Sequence, residues 1–360
     1  MGRCSASRTA PTGTALRRAR KSASSDSKPG PWPLSASKRR NGANGARSNT
    51  ATETTATANR ASGYVGRFAP SPSGPLHLGS LLAATGSFLE ARRHGGRWLV
   101  RMEDLDPRCI TGCAAQQLRT LEAFGFSWDG PVEYQSRRAE HYQAALEQLQ
   151  AAGLTYECSC SRRELSSEGG SLRRYPGTCR YGVRHLGATA TRLRVDEHFA
   201  VSFEDALQGR IEQPAGTLGD VIIRRRDGII AYQLAVVVDD ALQGITAVVR
   251  GADLLDSTGW QIALQHGLGV PTPRYAHLPL LTEPGGLKLA KRHRAAAIEP
   301  ARASEQLHQV LELLGQNPPP TLKGAEPGML LAWAIEHWQP QALRGLREIA
   351  LPARPSPAPA

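Results

Sequence analysis

The sequence predicts an α/β fold built on a parallel sheet, and three observations predict it. A short apolar strand at 65–69 leads through a Pro/Gly-punctuated loop into helical sequence at 76–94. A second apolar strand follows at 98–102 and ends in Glu103-Asp104. Later, the β-branched run 245–249 enters Arg250-Gly251 and is followed by helical sequence at 254–268 and a strand-like run at 277–281. Strand, helix and strand within about forty residues form a βαβ unit, which requires parallel strands joined by a right-handed crossover.

The individual elements carry their own signals. The helix at 76–94 stops at Gly95-Gly96, where a C-terminal cap needs glycine. Leu118, Leu121 and Phe124 share one helical face ending at Gly125, and Ala139, Tyr142, Leu146 and Leu149 share another ending at Gly153. Residues 155–185 lose this periodicity and carry three cysteines. Runs 221–223 and 229–238 flank Asp227-Gly228, which reads as a β-hairpin. Short helices are expected at 303–314 and 329–338. There is no internal repeat.

At 360 residues the chain has room for two domains of ordinary size. Its formal charge of +12 is concentrated at one end. Residues 1–62 hold twelve of the 44 Lys and Arg but only Asp26 and Glu53 of the 32 acids. Beyond them 32 bases face 30 acids, so a nucleic-acid surface on the folded part must be a local patch. The first 62 residues are too poor in large aliphatics to offset their ordering entropy and are expected to be a disordered basic extension. No run approaches the roughly 20 apolar residues of a membrane span, and no apolar secretory segment is present. The chain therefore reads as reduced and cytoplasmic, without membrane contact. Organellar import through the basic extension is the alternative, and so is a solvated tail without function.

The first segment with chemistry is Gly66-Arg-Phe-Ala-Pro-Ser-Pro-Ser-Gly-Pro-Leu-His77-Leu-Gly79-Ser80. A strand feeds a loop into a helix N-terminus, where backbone N–H groups and the helix dipole favour an anion. His77 adds a donor, and Gly79 leaves room for a nucleotide against the backbone. The second is Gly286-Leu-Lys288-Leu-Ala-Lys291-Arg292, two lysines in a loop after a strand. Taken alone, such lysines are solvated charges. Arg67, Glu103 and Arg250 each end a predicted strand, which is where open α/β sheets bind ligands. Pairing of each with a neighbour is the alternative for any one of them. The third feature is Cys158, Cys160 and Cys179, three thiols within about twenty residues that can close three corners of a metal tetrahedron. Cys109 and Cys113, one helical turn apart, read as packing thiols, and Cys4 lies in the basic extension.

These motifs resemble those of class I aminoacyl-tRNA synthetases, over roughly residues 63–300. The first segment is similar to their His-Ile-Gly-His element in the form found in glutamate-type enzymes, with Ser80 at the fourth position. The lysine loop resembles their Lys-Met-Ser-Lys-Ser element, with Ala290 in place of the usual serine. The resemblance implies a Rossmann-like catalytic core with an inserted zinc-binding, acceptor-like subdomain and a short helical C-terminal cap. It divides the chain into 63–153 and 219–300 as the two halves of the core, 154–218 as the insert, 301–350 as the cap and 351–360 as a disordered tail. It assigns Arg67, Phe68, Ala69, Pro70, Ser71, Glu103, Tyr232 and Arg250 to glutamate, and His77, Gly79, Ser80, Lys288 and Lys291 to ATP, with His77 and Lys291 catalytic. Cys158, Cys160, Tyr175 and Cys179 become ligands of one Zn²⁺, with His185 or water as alternatives to Tyr175. Mg²⁺ is expected with the ATP.

Fewer than seventy residues follow Lys291, too few for the anticodon-binding region of a bacterial-type glutamyl-tRNA synthetase. The glutamyl-queuosine synthetases, a truncated branch, fit instead. The expected activity is ATP-dependent activation of L-glutamate and its transfer to the cyclopentenediol of queuosine at the wobble position of tRNA(Asp), by a monomer. A minimal glutamyl-tRNA synthetase and a non-catalytic RNA- or amino-acid-binding paralogue are the alternatives. Arg162, Arg163, Arg173 and Arg174 are the expected phosphate contacts, or else a solvated face.

Overall fold

The computed structural model describes residues 63–167, 174–283 and 296–351. The basic extension 1–62, Arg173, the lysine loop with Lys288 and Lys291, and the tail from residue 352 lie outside the described residues.

The chain opens with strand β1 (Val65–Phe68), helix α1 (Leu78–Arg93) and strand β2 (Arg97–Met102). Helix α2 (Cys113–Ala123), the short strand β3 (Glu133–Tyr134) and helix α3 (Ala139–Ala151) complete the first half. Next come β4 (Thr155–Cys158), α4 (Arg162–Ser167), β5 (Ala190–Leu193), β6 (Val201–Asp205), β7 (Gly209–Gln213) and β8 (Ile222–Arg224). The second half holds α5 (Tyr232–Leu242), β9 (Ala247–Gly251), α6 (Thr258–Leu268), β10 (Arg274–Leu278) and β11 (Leu280–Thr282). Helices α7 (Ala303–Leu313) and α8 (Pro327–His337) and strand β12 (Glu348–Ala350) end it.

Strands β1, β2 and β3 form one parallel sheet, and β7, β6, β10 and β9 form another in that order. The two meet edge to edge. Thr246 N–H donates to Val65 O at 2.9 Å, and Val65 N–H donates to Thr246 Oγ1 at 2.8 Å. The combined order is β3-β2-β1-β9-β10-β6-β7, with sequence direction reversing between β1 and β9. Such a reversal leaves a crevice beyond the carboxyl ends of the two central strands.

Helix α1 lies over this junction and is buried along nearly its whole length, because the sheet covers one side and α7 and α8 the other. Its stop shows why two glycines occur together. Gly95 adopts φ 59°, and a Cβ on Gly96 would sit 2.5 Å from Tyr64 O. Trp98, wholly buried on β2, stacks with Phe68, meets Phe88 edge-on at 5.2 Å and donates to Ser87 Oγ.

The expected hairpin at 221–238 is corrected. The turn forms, with Gly228 at φ 85°, Arg225 N–H donating to Ile229 O and Ala231 N–H donating to Ile223 O around the Arg224–Ile230 bridge, but the pairing ends there. From Tyr232 the chain is helix α5. A continuous apolar run fits a buried strand or a buried helix equally well. Here Leu234 to Asp240 are all buried in the middle of the fold, and packing overrides the β-propensity of three successive valines. The run at 277–281 is two strands, β10 and β11, parted at Pro279, which has no N–H for a ladder.

The segments around the cysteines also exchange partners with the core. β8, expected in the second core half, pairs with β5 in the sheet β4-β5-β8. β6 and β7, expected in the insert, extend the core sheet through β10. No described helix is long and apolar enough to cross a membrane.

Candidate active site

A cavity of about 500 Å³ opens at the junction of β1 and β9. Arg67, Phe68, Ala69, Pro70 and Ser71 reach it from β1 and the following loop, and Glu103 from the end of β2. Tyr232 enters from the start of α5 and Arg250 from the end of β9, while His77, Gly79 and Ser80 line it at the start of α1. Every described residue expected in the glutamate or ATP site thus borders one space. Lys288 and Lys291 are outside the described residues, but both flanks of their segment reach the cavity walls. Leu280 and Leu281 line it on one side, and Ala297 pairs with His77 on the other.

His77 is the N-cap of α1, in extended backbone, and its Nδ1 accepts the Ser80 N–H at 3.2 Å. A ring that accepts through Nδ1 is neutral and carries its proton on Nε2, so it offers a donor. A Cβ on Gly79 would lie 3.1 Å from His77 Cε1 and 3.2 Å from Nδ1, so glycine there lets the imidazole keep its position.

Arg67 and Glu103 belong to a buried ionic network. Arg67 Nε donates to Asp240 Oδ1 at 3.1 Å and Nη2 to Oδ2 at 3.4 Å. Arg101, wholly buried behind them, donates to Asp240 Oδ1 at 2.8 Å and lies 3.6 Å from Glu103 Oε1. Asp239 accepts from Arg138 Nε at 2.7 Å, Gln135 Nε2 at 2.8 Å and the Tyr142 hydroxyl at 2.8 Å. Three guanidinium groups therefore meet Glu103, Asp239 and Asp240. Burial pushes the Glu103 carboxyl up to about 7, with Arg101 and Arg67 only partly offsetting it and Asp240 and Asp239 adding to it. Burial also raises the Tyr232 phenol above its ordinary value.

Arg250, 5% exposed, is held differently. Nε donates to His277 Nε2 at 3.0 Å, Nη1 to Gln261 Oε1 at 2.7 Å, and Nη2 to Thr258 Oγ1 at 2.8 Å and Leu254 O at 3.4 Å. All four acceptors are neutral.

Sequence reasoning missed Arg101, Asp205, Asp239, Asp240 and His277. A signal for two of them was present: adjacent acids ending an apolar run need buried partners. Cys109 was placed wrongly. It precedes α2, and its Sγ lies 3.8 Å from Glu103 O, whereas Cys113 is the buried first residue of α2.

Away from the cavity, Cys158, Cys160 and Cys179 bring their Sγ atoms within 4.8 Å of one another. Cys160 and Cys179 Sγ are 3.5 Å apart. The Tyr175 hydroxyl lies 3.3 Å from Cys158 Sγ and 3.4 Å from Cys160 Sγ, and accepts the Cys179 N–H at 2.9 Å. The Arg192 guanidinium covers the Tyr175 ring at 3.7 Å. His185 is turned to Glu164, with Nε2 2.6 Å from Oε1. Arg162, Arg163 and Arg174 are exposed beside this cluster.

A family model for the class I tRNA synthetases (E and Q), catalytic domain, matches residues 64–314. The chain is 54% identical over 299 residues to the glutamyl-Q tRNA(Asp) synthetase of Dechloromonas aromatica, covering 81% of this chain and 99% of that protein. It is 52% identical over 279 residues to the protein of the same name from Pseudomonas aeruginosa, covering 77% and 94%. Among solved structures it is similar to a glutamate tRNA ligase from Elizabethkingia meningosepticum in complex with its amino acid, at TM-score 0.67 and 24% identity. A glutamate-tRNA synthetase from Elizabethkingia anophelis matches at TM-score 0.68 and 24% identity. The chain spans 66% and 68% of those two chains, and at that identity the likeness is one of fold.

Proposed function

This chain belongs to the class I tRNA synthetases for glutamate and glutamine, and from that membership we propose that it activates L-glutamate with ATP and esterifies it to the cyclopentenediol of queuosine at the wobble position of tRNA(Asp). The observation that carries the reading is the single cavity in which a buried carboxylate and two buried guanidinium groups face a helix N-terminus. Glu103 suits the substrate ammonium, and Arg67 and Arg250 suit its carboxylates. Glutamine would leave a guanidinium half-paired, which favours glutamate.

The amino acid's carboxylate oxygen attacks the α-phosphorus of ATP in line. A carboxylate–phosphorus bond forms as the bond to pyrophosphate breaks, and the electron pair leaves with pyrophosphate. A queuosine hydroxyl then attacks the acyl carbon, loses its proton and releases AMP. The protein supplies positioning and donors rather than a nucleophile. The α1 N-terminus and the His77 Nε2–H address the phosphates, Gly79 and Ser80 lie beside them, and Lys288 and Lys291 take the charge developing on pyrophosphate. Mg²⁺ accompanies the ATP. Every protein group invoked comes from one chain, so a monomer suffices.

The test is transfer of labelled glutamate to queuosine-containing tRNA(Asp) beside the unmodified transcript. Label on the modified tRNA alone supports the reading. Equal labelling of both means esterification of the 3′ end instead.

Glu103 makes the first step pH-dependent. An ammonium ligand favours the ionised carboxylate, so a group with its pKa near 7 releases its proton on binding. The apparent KM for glutamate is expected to rise about tenfold per pH unit below 7 and to level off above it. Pyrophosphate exchange from pH 5.5 to 8.5 measures this, and Glu103→Gln removes the dependence while raising KM throughout.

We also infer that Cys158, Cys160, Cys179 and Tyr175 hold one zinc ion. Zn–S and Zn–O bonds of about 2.3 and 2.0–2.2 Å give tetrahedral edges of roughly 3.5–3.8 Å. The observed separations of 3.3, 3.4 and 3.5 Å lie at or just below that range, and the three Sγ atoms fall within 4.8 Å of one another. Bound zinc would cross-link β4 to the loop at 175–179 and support the exposed Arg162, Arg163 and Arg174 as RNA phosphate contacts. Emission spectrometry is expected to find one zinc per chain, lost in Cys179→Ala. That variant should lose transfer to tRNA before it loses pyrophosphate exchange.

A further inference from the structure

Arg67 and Arg250 face the same cavity but are charge-balanced in opposite ways. Arg67 has a carboxylate in direct contact, Asp240 at 3.1 Å. The hydrogen bonds of Arg250 end on an imidazole, an amide, a hydroxyl and a backbone carbonyl. The nearest carboxylate in that chain of contacts is Asp205, one imidazole further back. His277 Nδ1 lies 2.5 Å from Asp205 Oδ2, and His277 Nε2 receives the Arg250 Nε–H.

These contacts leave one protonation pattern. Arg250 Nε can only donate, so His277 Nε2 must carry a lone pair, and the ring proton sits on Nδ1 and points to Asp205. Asp205 is ionised, since Oδ1 also accepts three backbone N–H groups, from Leu207 at 3.0 Å, Gln208 at 2.9 Å and His277 at 3.1 Å. Those bonds fix the carboxylate at the β6–β7 turn. The imidazole is wholly buried, and its plane lies against the Tyr275 ring at 6.0 Å and 15°. Orientation therefore passes from the β6–β7 turn through β10 to the end of β9 without a flexible link.

We propose that Asp205 and His277 are a positioning dyad that aims Arg250 at a substrate carboxylate and holds the dyad's own negative charge one ring away from it. The inference rests on the reading of the cavity as a glutamate site. A carboxylate directly on Arg250, as Asp240 is on Arg67, would neutralise the guanidinium before substrate arrived. A neutral relay leaves its charge for the ligand, and a buried unpaired charge discriminates strongly against an uncharged amide. Histidine suits the position because its two nitrogens separate donor from acceptor in one rigid ring. Glutamine, with amide nitrogen and oxygen at a similar spacing, is the conservative replacement.

The test is pyrophosphate exchange by the full chain, with separate KM values for glutamate and ATP and a parallel titration with glutamine. His277→Ala is expected to raise the glutamate KM by 10- to 100-fold and leave the ATP KM within about threefold. The ratio of glutamate to glutamine efficiency should fall at least tenfold. His277→Gln should recover most of both. Asp205→Asn should resemble His277→Ala, because an amide donating to Nδ1 forces the ring proton onto Nε2 against the Arg250 N–H. A glutamate KM unchanged in His277→Ala overturns the dyad, as does an equal rise in both KM values. Wild-type protein without glutamate-dependent exchange overturns the glutamate-site reading itself, and the dyad with it.

Discussion

Asp240→Ala is expected to destabilise the protein by about 3–5 kcal/mol, the largest effect of any single side chain in the ionic network behind Arg67. Asp240 is buried and takes hydrogen bonds from both Arg67 and Arg101. Arg101 is wholly enclosed and keeps only Asp239 at 3.7 Å and Glu103 at 3.6 Å as remaining acids. Removing the carboxylate leaves excess positive charge on two guanidinium groups that are almost wholly enclosed. Urea unfolding measures the loss. Asp240→Asn should fall between, because it keeps an acceptor but not the charge. A loss below 1 kcal/mol for Asp240→Ala would mean that the two arginines find other partners and that the network is not what holds Arg67 in place.

His77→Ala is expected to lower kcat of pyrophosphate exchange by about 10²- to 10³-fold, the scale for removing one donor aimed at transition-state charge. The same change removes the cap on α1, which costs about 1 kcal/mol of stability. The two effects separate in His77→Asn. Its side-chain oxygen can accept the Ser80 N–H and restore stability, but its amide is too short to reach where Nε2 reaches. Recovered stability with kcat still depressed is the expected pair of results. Full recovery of kcat in His77→Asn would reduce His77 to a helix cap.

What could be read in advance follows from how local each cause is. The segment from Gly66 to Ser80 joins strand end, loop and helix start in fifteen consecutive residues, so its glycines, its prolines and His77 describe one local structure. Glu103 and Arg250 were found because strand ends in a parallel sheet converge. The rest depended on distant partners. Arg67 meets Asp240 across 173 positions and His277 meets Asp205 across 72, and no local pattern encodes either meeting. Helix α5 was misread because Ala-Val-Val-Val in isolation favours a strand, and only its enclosure on all sides makes it a helix. That error hid Asp239 and Asp240, which would follow the end of such a strand but are buried residues of α5. The exchange of β6, β7 and β8 between the sheets is likewise a matter of tertiary pairing, since short strands carry no record of their neighbours.

The measurement that bears most directly on the account is a crystal structure with a non-hydrolysable glutamyl-adenylate analogue. The ammonium is expected on Glu103, a carboxylate oxygen on Arg250, and the phosphate surrogate at the start of α1 beside His77. An analogue bound in another cavity, or bound here with its carboxylate turned away from both Arg67 and Arg250, would contradict it.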